Sequence, residues 1–185
     1  MGPARSHHLS AEGHLGLATY LIDIPSHDMS RRLGDALHVY VDAMRYPRGT
    51  EDQRASMWLE HMRRAGWKAV AAVQTESDAA GPDLVGAPLL GIAYGYRGAP
   101  DQWWQQQVVG GLRRGGMPPA DIDRLMTSYF ELTELHIHPS AQGRGLGEAL
   151  ARRLLHDRPE HNVLLSTPEI NGESNRAWRR SCKIG

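Results

Sequence analysis

Three glycines fall within five residues at Gly143, Gly145 and Gly147, immediately ahead of a run patterned as a helix. Glycine loses more conformational freedom on folding than any other residue, so such a concentration calls for a chemical reason. A glycine-rich turn that feeds a helix exposes unpaired N–H groups at the positive end of the helix dipole, and that arrangement binds phosphate. The type of phosphate ligand is narrowed by spelling. A Walker loop needs lysine and a hydroxyl residue after its second glycine, where this chain has Leu146 and Gly147. The dinucleotide fingerprint needs G-x-G-x-x-G on a first strand, whereas these glycines are spaced G-x-G-x-G late in the chain. Nucleotide hydrolysis and nicotinamide chemistry are therefore disfavoured.

Two elements must hold this loop. Before it, "YFELTELHIHP" from Tyr129 to Pro139 alternates apolar and polar residues, as a strand does. After it, Leu146, Ala149, Leu150 and Leu154 recur at helical spacing with Glu148, Arg152 and Arg153 on the opposite side. Upstream, "TYLIDIP" (19–25) predicts a first strand, and "SRRLGDALHVYVDAM" (30–44) a helix with Leu33, Ala36, Leu37, Tyr40, Val41 and Met44 on one face. A second helix is predicted from Thr50, with Thr50 and Gln53 as a capping box and Gly66 as its stop. "WKAVAAVQ" and "PLLGIAYGYRG" read as an antiparallel hairpin, with Gly91 and Gly95 weakening its second strand. Two short helices are predicted in an insertion at 99–128, then a strand at "NVLLSTP" and a last helix near Ser174. This order predicts the α/β class in its mixed α+β form, a mostly antiparallel sheet flanked by helices, as a single domain over 1–185.

Composition excludes several roles. Formal net charge is zero with 23% charged residues, so no nucleic-acid partner is expected. No apolar run reaches membrane-spanning length, and the single cysteine, Cys182, fits a reducing, cytoplasmic setting. His136 and His138 form an H-x-H pair without a visible third ligand, so no metal is expected. Trp103 and Trp104 either pack on the sheet or cover an acceptor.

With Gln142 the loop spells Q-x-x-G-x-G at the end of a long strand, and here the chain resembles the GNAT superfamily of N-acetyltransferases over roughly residues 15–185. The resemblance implies acetyl-CoA as cosubstrate, its pyrophosphate held by the backbone of Gln142, Gly143, Arg144, Gly145, Leu146 and Gly147. It also implies a splayed strand at Leu135, His136 and Ile137 along the pantetheine arm, an oxyanion donor among those N–H groups, and Asn175 on the last helix at the cofactor. The reaction implied is transfer of an acetyl group to a primary amine, of a small molecule or a peptide, by direct attack in a ternary complex. The alternative is a catalytically weak acyl-CoA-binding protein.

Removal of the amine proton falls, by the same resemblance, to a carboxylate of the long strand. Glu131 stands eleven residues before Gln142, as in histone-type members, with Glu134 and the His136 imidazole in reserve. The strand period of two predicts opposite faces for Glu131 and Glu134. The family's acid, a tyrosine six residues beyond the asparagine, is replaced by Ser181. The sequence given ends at Gly185, where the family continues into further strands, so the expectation is an edge short of its last strands that favours a homodimer.

Overall fold

The computed structural model describes residues 17–76, 84 and 86–166. The last predicted helix, with Asn175, Ser181 and Cys182, lies outside the described residues, as does the chain end on which the missing-strand and homodimer expectations rest.

The elements run β1 (Leu17–Asp23), α1 (Ser26–Arg31), α2 (Leu33–Met44), α3 (Thr50–His61), β2 (Lys68–Glu76), β3 (Leu89–Arg97), α4 (Trp103–Arg114), α5 (Pro119–Met126), β4 (Tyr129–Ile137), a 3₁₀ turn (Pro139–Ala141), α6 (Leu146–Leu155) and β5 (Asn162–Leu164). The sheet order is β1-β2-β3-β4-β5. Every neighbouring pair is antiparallel except β4 with β5, which is parallel. The mixed sheet, its hairpin and the two helices of the insertion match the sequence expectation.

The sheet is covered on both sides, and β3 shows why its sequence is apolar almost throughout. Eight of its nine residues are buried, because α2 and α3 close one face and α6 the other. On the α2/α3 side Ala36, Leu37, Tyr40, Val41 and Trp58 pack on Ile92, Tyr94 and Tyr96. On the α6 side Leu150 and Leu154 pack on Val70, Ala72, Ala93, Phe130 and Leu132.

Local readings needed correction in three places. The 30–44 helix is broken at Arg32 (φ −104°, ψ 13°), which separates α1 from α2. Arg32 is held there by Asp35 and by the Ala87 carbonyl at 2.7 Å. The Thr50–Gln53 capping box does not form: Gly49 is the N-cap at φ +95°, and Glu51 Oε2 accepts from its N–H at 2.7 Å. The α3 helix also ends at His61, ahead of Gly66.

Candidate functional site

The site is built on an irregularity in β4. Opposite β3, Tyr94 pairs with Glu134 but Gly95 pairs with Leu132, so Thr133 is an extra residue and β4 is bulged. One inserted residue reverses the alternation beyond it. Glu131 and Glu134 therefore share the α2/α3 face, with Tyr96 and Tyr94 as their β3 partners, and the expectation of opposite faces is wrong. Gly95 makes the bulge sterically feasible, since a Cβ there would lie 2.2 Å from the Glu131 carbonyl oxygen and 2.5 Å from the Phe130 ring.

Glu131 sits among aromatic rings at 4% exposure. The Tyr96 hydroxyl donates to its Oε1 at 3.0 Å, while Oε2 is buried without a hydrogen-bond partner among the described residues. Burial pushes the carboxyl above its usual range; the Tyr96 hydrogen bond and the Arg64 guanidinium draw it partly back. Beside it, His61 of α3 lies with its ring 5.1 Å from that of Tyr96 and its Nδ1 3.0 Å from the Tyr94 hydroxyl. Burial, with Arg64, lowers the imidazole to about 4, so His61 is neutral at physiological pH.

Farther along β4, Glu134 and His136 are paired through Oε2 and Nε2, both mostly buried, and the His136 ring stands edge-on to Tyr40 at 4.9 Å. His138 reaches Asp42 of α2 at 3.4 Å through Nε2, and its Nδ1 caps the 3₁₀ turn by accepting from the Ser140 N–H. No group of histidines, cysteines and carboxylates suited to a metal ion occurs among the described residues.

The opposite edge of β4 opens. β5 pairs with it only from Tyr129 to Glu131, and Thr133–Ile137 has no strand partner on that side among the described residues. His138 N–H donates to Leu90 O across β3, which fixes the antiparallel pattern. Leu135 and Ile137 then direct their N–H and C=O groups to the open edge, while those of His136 are spent on β3. His136 thus differs from Leu135 and Ile137: its N–H and C=O face β3, and its side chain lies on the α2/α3 face beside Tyr40. Gln142 Nε2 donates to Ile137 O at 3.0 Å and ties the glycine loop to the same edge.

The loop itself explains its glycines. Gly143 (φ +76°) and Gly145 (φ +77°) lie in the left-handed region, and the space at both Cβ positions is open. Gly145 is the N-cap of α6 and supplies no side chain to it, so the N–H groups of the first turn face outward beside Gly143 and Arg144. Ala141, fully buried, anchors the loop from below. Gly147 faces the strand, where its Cβ position is 3.7 Å from Leu135. An exposed, uncapped amide cradle continuous with a strand edge that has no partner among the described residues fits a pyrophosphate joined to an amide-bearing arm.

The loop, Glu131, Glu134, Leu135, His136 and Ile137 are the candidates that the sequence itself displays. Tyr96, Tyr94 and His61 are not among them, since they reach the site only through the pairing of β3 and the packing of α3. Their signal was faint: two tyrosines flanking Gly95 on one strand face. Trp103 is 71% exposed, and Trp104 lies 6.2 Å from the Tyr129 ring, so the pair is divided between solvent and packing.

No protein-family model matches the chain. The GCN5-like protein acetyltransferase Rv2170 of Mycobacterium tuberculosis is 67% identical to it over 180 residues, covering 91% of this chain and 87% of that protein. Among solved structures, the aminoglycoside N-acetyltransferase AAC(6')-Iy, in complex with CoA, superposes with a TM-score of 0.54 at 10% identity, covering 90% of this chain and 88% of that one. The aminoglycoside acetyltransferase meta-AAC0020, from an uncultured soil metagenomic sample, gives 0.51 at 9% identity over 89% and 87%. These two share the fold with it. The chain belongs to the GNAT superfamily of N-acetyltransferases and is an acetyltransferase.

Proposed function

We propose that this acetyltransferase moves an acetyl group from acetyl-CoA to a primary amine of lysine type on a protein or peptide, by direct attack in a ternary complex, with Glu131 as general base. The observation that carries the proposal is the buried Glu131 carboxylate, its Oε2 without a partner among the described residues, beside the point where β4 leaves β5. The protein acceptor is supported by the 67% identical relative, which is a GCN5-like protein acetyltransferase by name. It is also supported by two carboxylates, Glu131 and Glu134, on one face of the sheet, which suit an incoming ammonium.

The residues divide the work. N–H groups of the loop from Gly143 to Gly147 bind the pyrophosphate, and Leu135 and Ile137 align the pantetheine amides along the open edge. The cosubstrate supplies the activated acetyl group. An N–H of Leu135 or Ile137 faces the carbonyl oxygen and receives its developing charge. Glu131 takes the ammonium proton through Oε2, directly or through water, which exposes the nitrogen lone pair. Its raised carboxyl pKa makes it a better proton acceptor than an exposed glutamate. Ser181, proposed at the acid's place, has no phenol to offer the departing thiolate, so water serves there. Asn175 is proposed to border the cofactor. One cysteine in the chain suits a reducing cytoplasm, and no helix among the described residues is long and apolar enough to cross a membrane.

The weak-binding alternative is not favoured, because the relative is named an acetyltransferase and the carboxylate is in place. The test is thiol release from acetyl-CoA over a panel of lysine peptides, polyamines and aminoglycosides. Turnover on lysine peptides is expected; CoA binding without turnover on any amine would overturn the proposal.

A further inference from the structure

Tyr96 occupies an unusual position for a core tyrosine. It is 1% exposed on the central strand, directly across from Glu131 in the β3–β4 register. A phenylalanine would fill the same space, and a hydroxyl in an apolar core is costly unless it finds a partner. The Tyr96 hydroxyl finds Glu131 Oε1 at 3.0 Å. The ring is held from the other side: the Arg64 guanidinium lies 4.6 Å over it, and His61 packs against it. Thr133, the bulge residue, donates through Oγ1 to Glu131 O at 3.3 Å.

We propose that Tyr96 is a positioning residue for catalysis: its hydroxyl engages Oε1, fixes the Glu131 rotamer, and leaves Oε2, buried and without a hydrogen-bond partner among the described residues, as the oxygen left to take the acceptor's proton. The inference rests on Glu131 being the base. A flexible glutamate in an open site samples several rotamers, and each unproductive one reduces turnover. Here one oxygen is committed to a donor on the stiffest strand of the sheet, so the other points one way. Burial and the neighbouring Glu131 charge push the Tyr96 phenol far above its usual range, so it remains a donor at any working pH.

The groups that face Glu131 are Tyr96 and Tyr94 of β3, Tyr129 of β4, and Arg64 beyond α3. Tyr96 makes the hydrogen bond that most favours the ionised carboxylate, and Arg64 adds its charge. Loss of the hydroxyl therefore raises the carboxyl pKa, and the acidic limb of the pH profile should move to higher pH. A tyrosine that served only to fill the core would leave that limb where it is.

The experiment compares wild type, Tyr96→Phe, Glu131→Gln and the double variant, with acetyl-CoA and a lysine peptide, measuring kcat/KM against pH and the thermal shift with CoA. Tyr96→Phe should keep the CoA shift and the KM for acetyl-CoA, lose kcat by ~10- to 100-fold, and displace the acidic limb upward by about one pH unit. In the Glu131→Gln background, Tyr96→Phe should change residual turnover by less than about twofold. An unmoved limb, or an undiminished loss in that background, overturns the proposal while leaving Glu131 as base. Wild-type turnover in Glu131→Gln removes the base itself, and the proposal with it. Should Tyr96→Phe alone not fold, the double variant, in which no carboxylate is left unpaired, decides by the same comparison with Glu131→Gln.

Discussion

Substitution of Gly95 by alanine is expected to slow catalysis without weakening the cofactor loop. The added Cβ would lie 2.2 Å from Glu131 O and 2.5 and 2.6 Å from two Phe130 ring carbons. Ordinary contacts begin near ~3.4 Å, so β4 must retreat by roughly 1 Å, and the residue that retreats is Glu131. Overpacking of this size costs about 2 kcal/mol, which lowers Tm by about 4–8 °C in a chain of this length. A displacement of ~1 Å in a reacting group costs on the order of 10²-fold in rate. The glycine loop hangs from Ile137 through Gln142, at the other end of β4, and should be spared. The assay is thiol release with a lysine peptide, run beside calorimetric melting with and without CoA. The expected outcome is a ~10²-fold lower kcat, a lower Tm and a preserved CoA shift. Turnover within twofold of wild type, with Tm unchanged to about 1 °C, would refute the claim that this glycine permits the bulge that places Glu131.

Other outcomes follow from single contacts. Gly145→Asp puts a charged side chain at φ +77° in the amide cradle, so the stabilisation by CoA, about 2.7 kcal/mol at a hundredfold excess over Kd, should vanish in a melting assay. Lys68 Nζ donates to Arg153 O at 3.0 Å and His156 O at 3.1 Å, at the C-terminal end of α6. Lys68→Met should therefore cost about 1 kcal/mol in urea unfolding. His61 has a folded pKa of about 4, below its unfolded value of 6.5. The unfolded chain then binds the extra proton between these limits, so stability is full above pH 6.5 and falls toward pH 4, by up to about 3 kcal/mol. His61→Gln should flatten that part of the Tm–pH curve, and an unchanged slope would exclude His61 as its source.

The legible parts of the molecule were those whose cause is local. Gly143 and Gly145 stand where the backbone turns left-handed, and that requirement is written in the residue type itself. The apolar run of β3 read as the second strand of an antiparallel hairpin, which the β2–β3 pairing matches. The face assignment of Glu131 and Glu134 failed because period-two counting assumes an unbroken ladder. Thr133 breaks it, and the permission for that break comes from Gly95 on another strand. Gly95 was visible as a weakness in the hairpin, but the carbonyl it admits lies 36 positions away in sequence. The junction at Arg32 was hidden for a similar reason: its guanidinium bonds to Ala87 O, 55 residues distant. Tyr96 and His61 carried no motif, and only packing brings them to Glu131.

The central claim is that a buried carboxylate on bulged β4 removes the acceptor's proton beside a CoA-binding edge. It is tested most directly by titrating acetyl-CoA into wild type and Glu131→Gln from parallel preparations, with binding read by calorimetry and acetylation of a lysine peptide by mass spectrometry. The account predicts equal CoA affinity within about threefold and a loss of acetylation rate of ~10²- to 10⁴-fold in the variant. Equal affinity with an undiminished rate would contradict it.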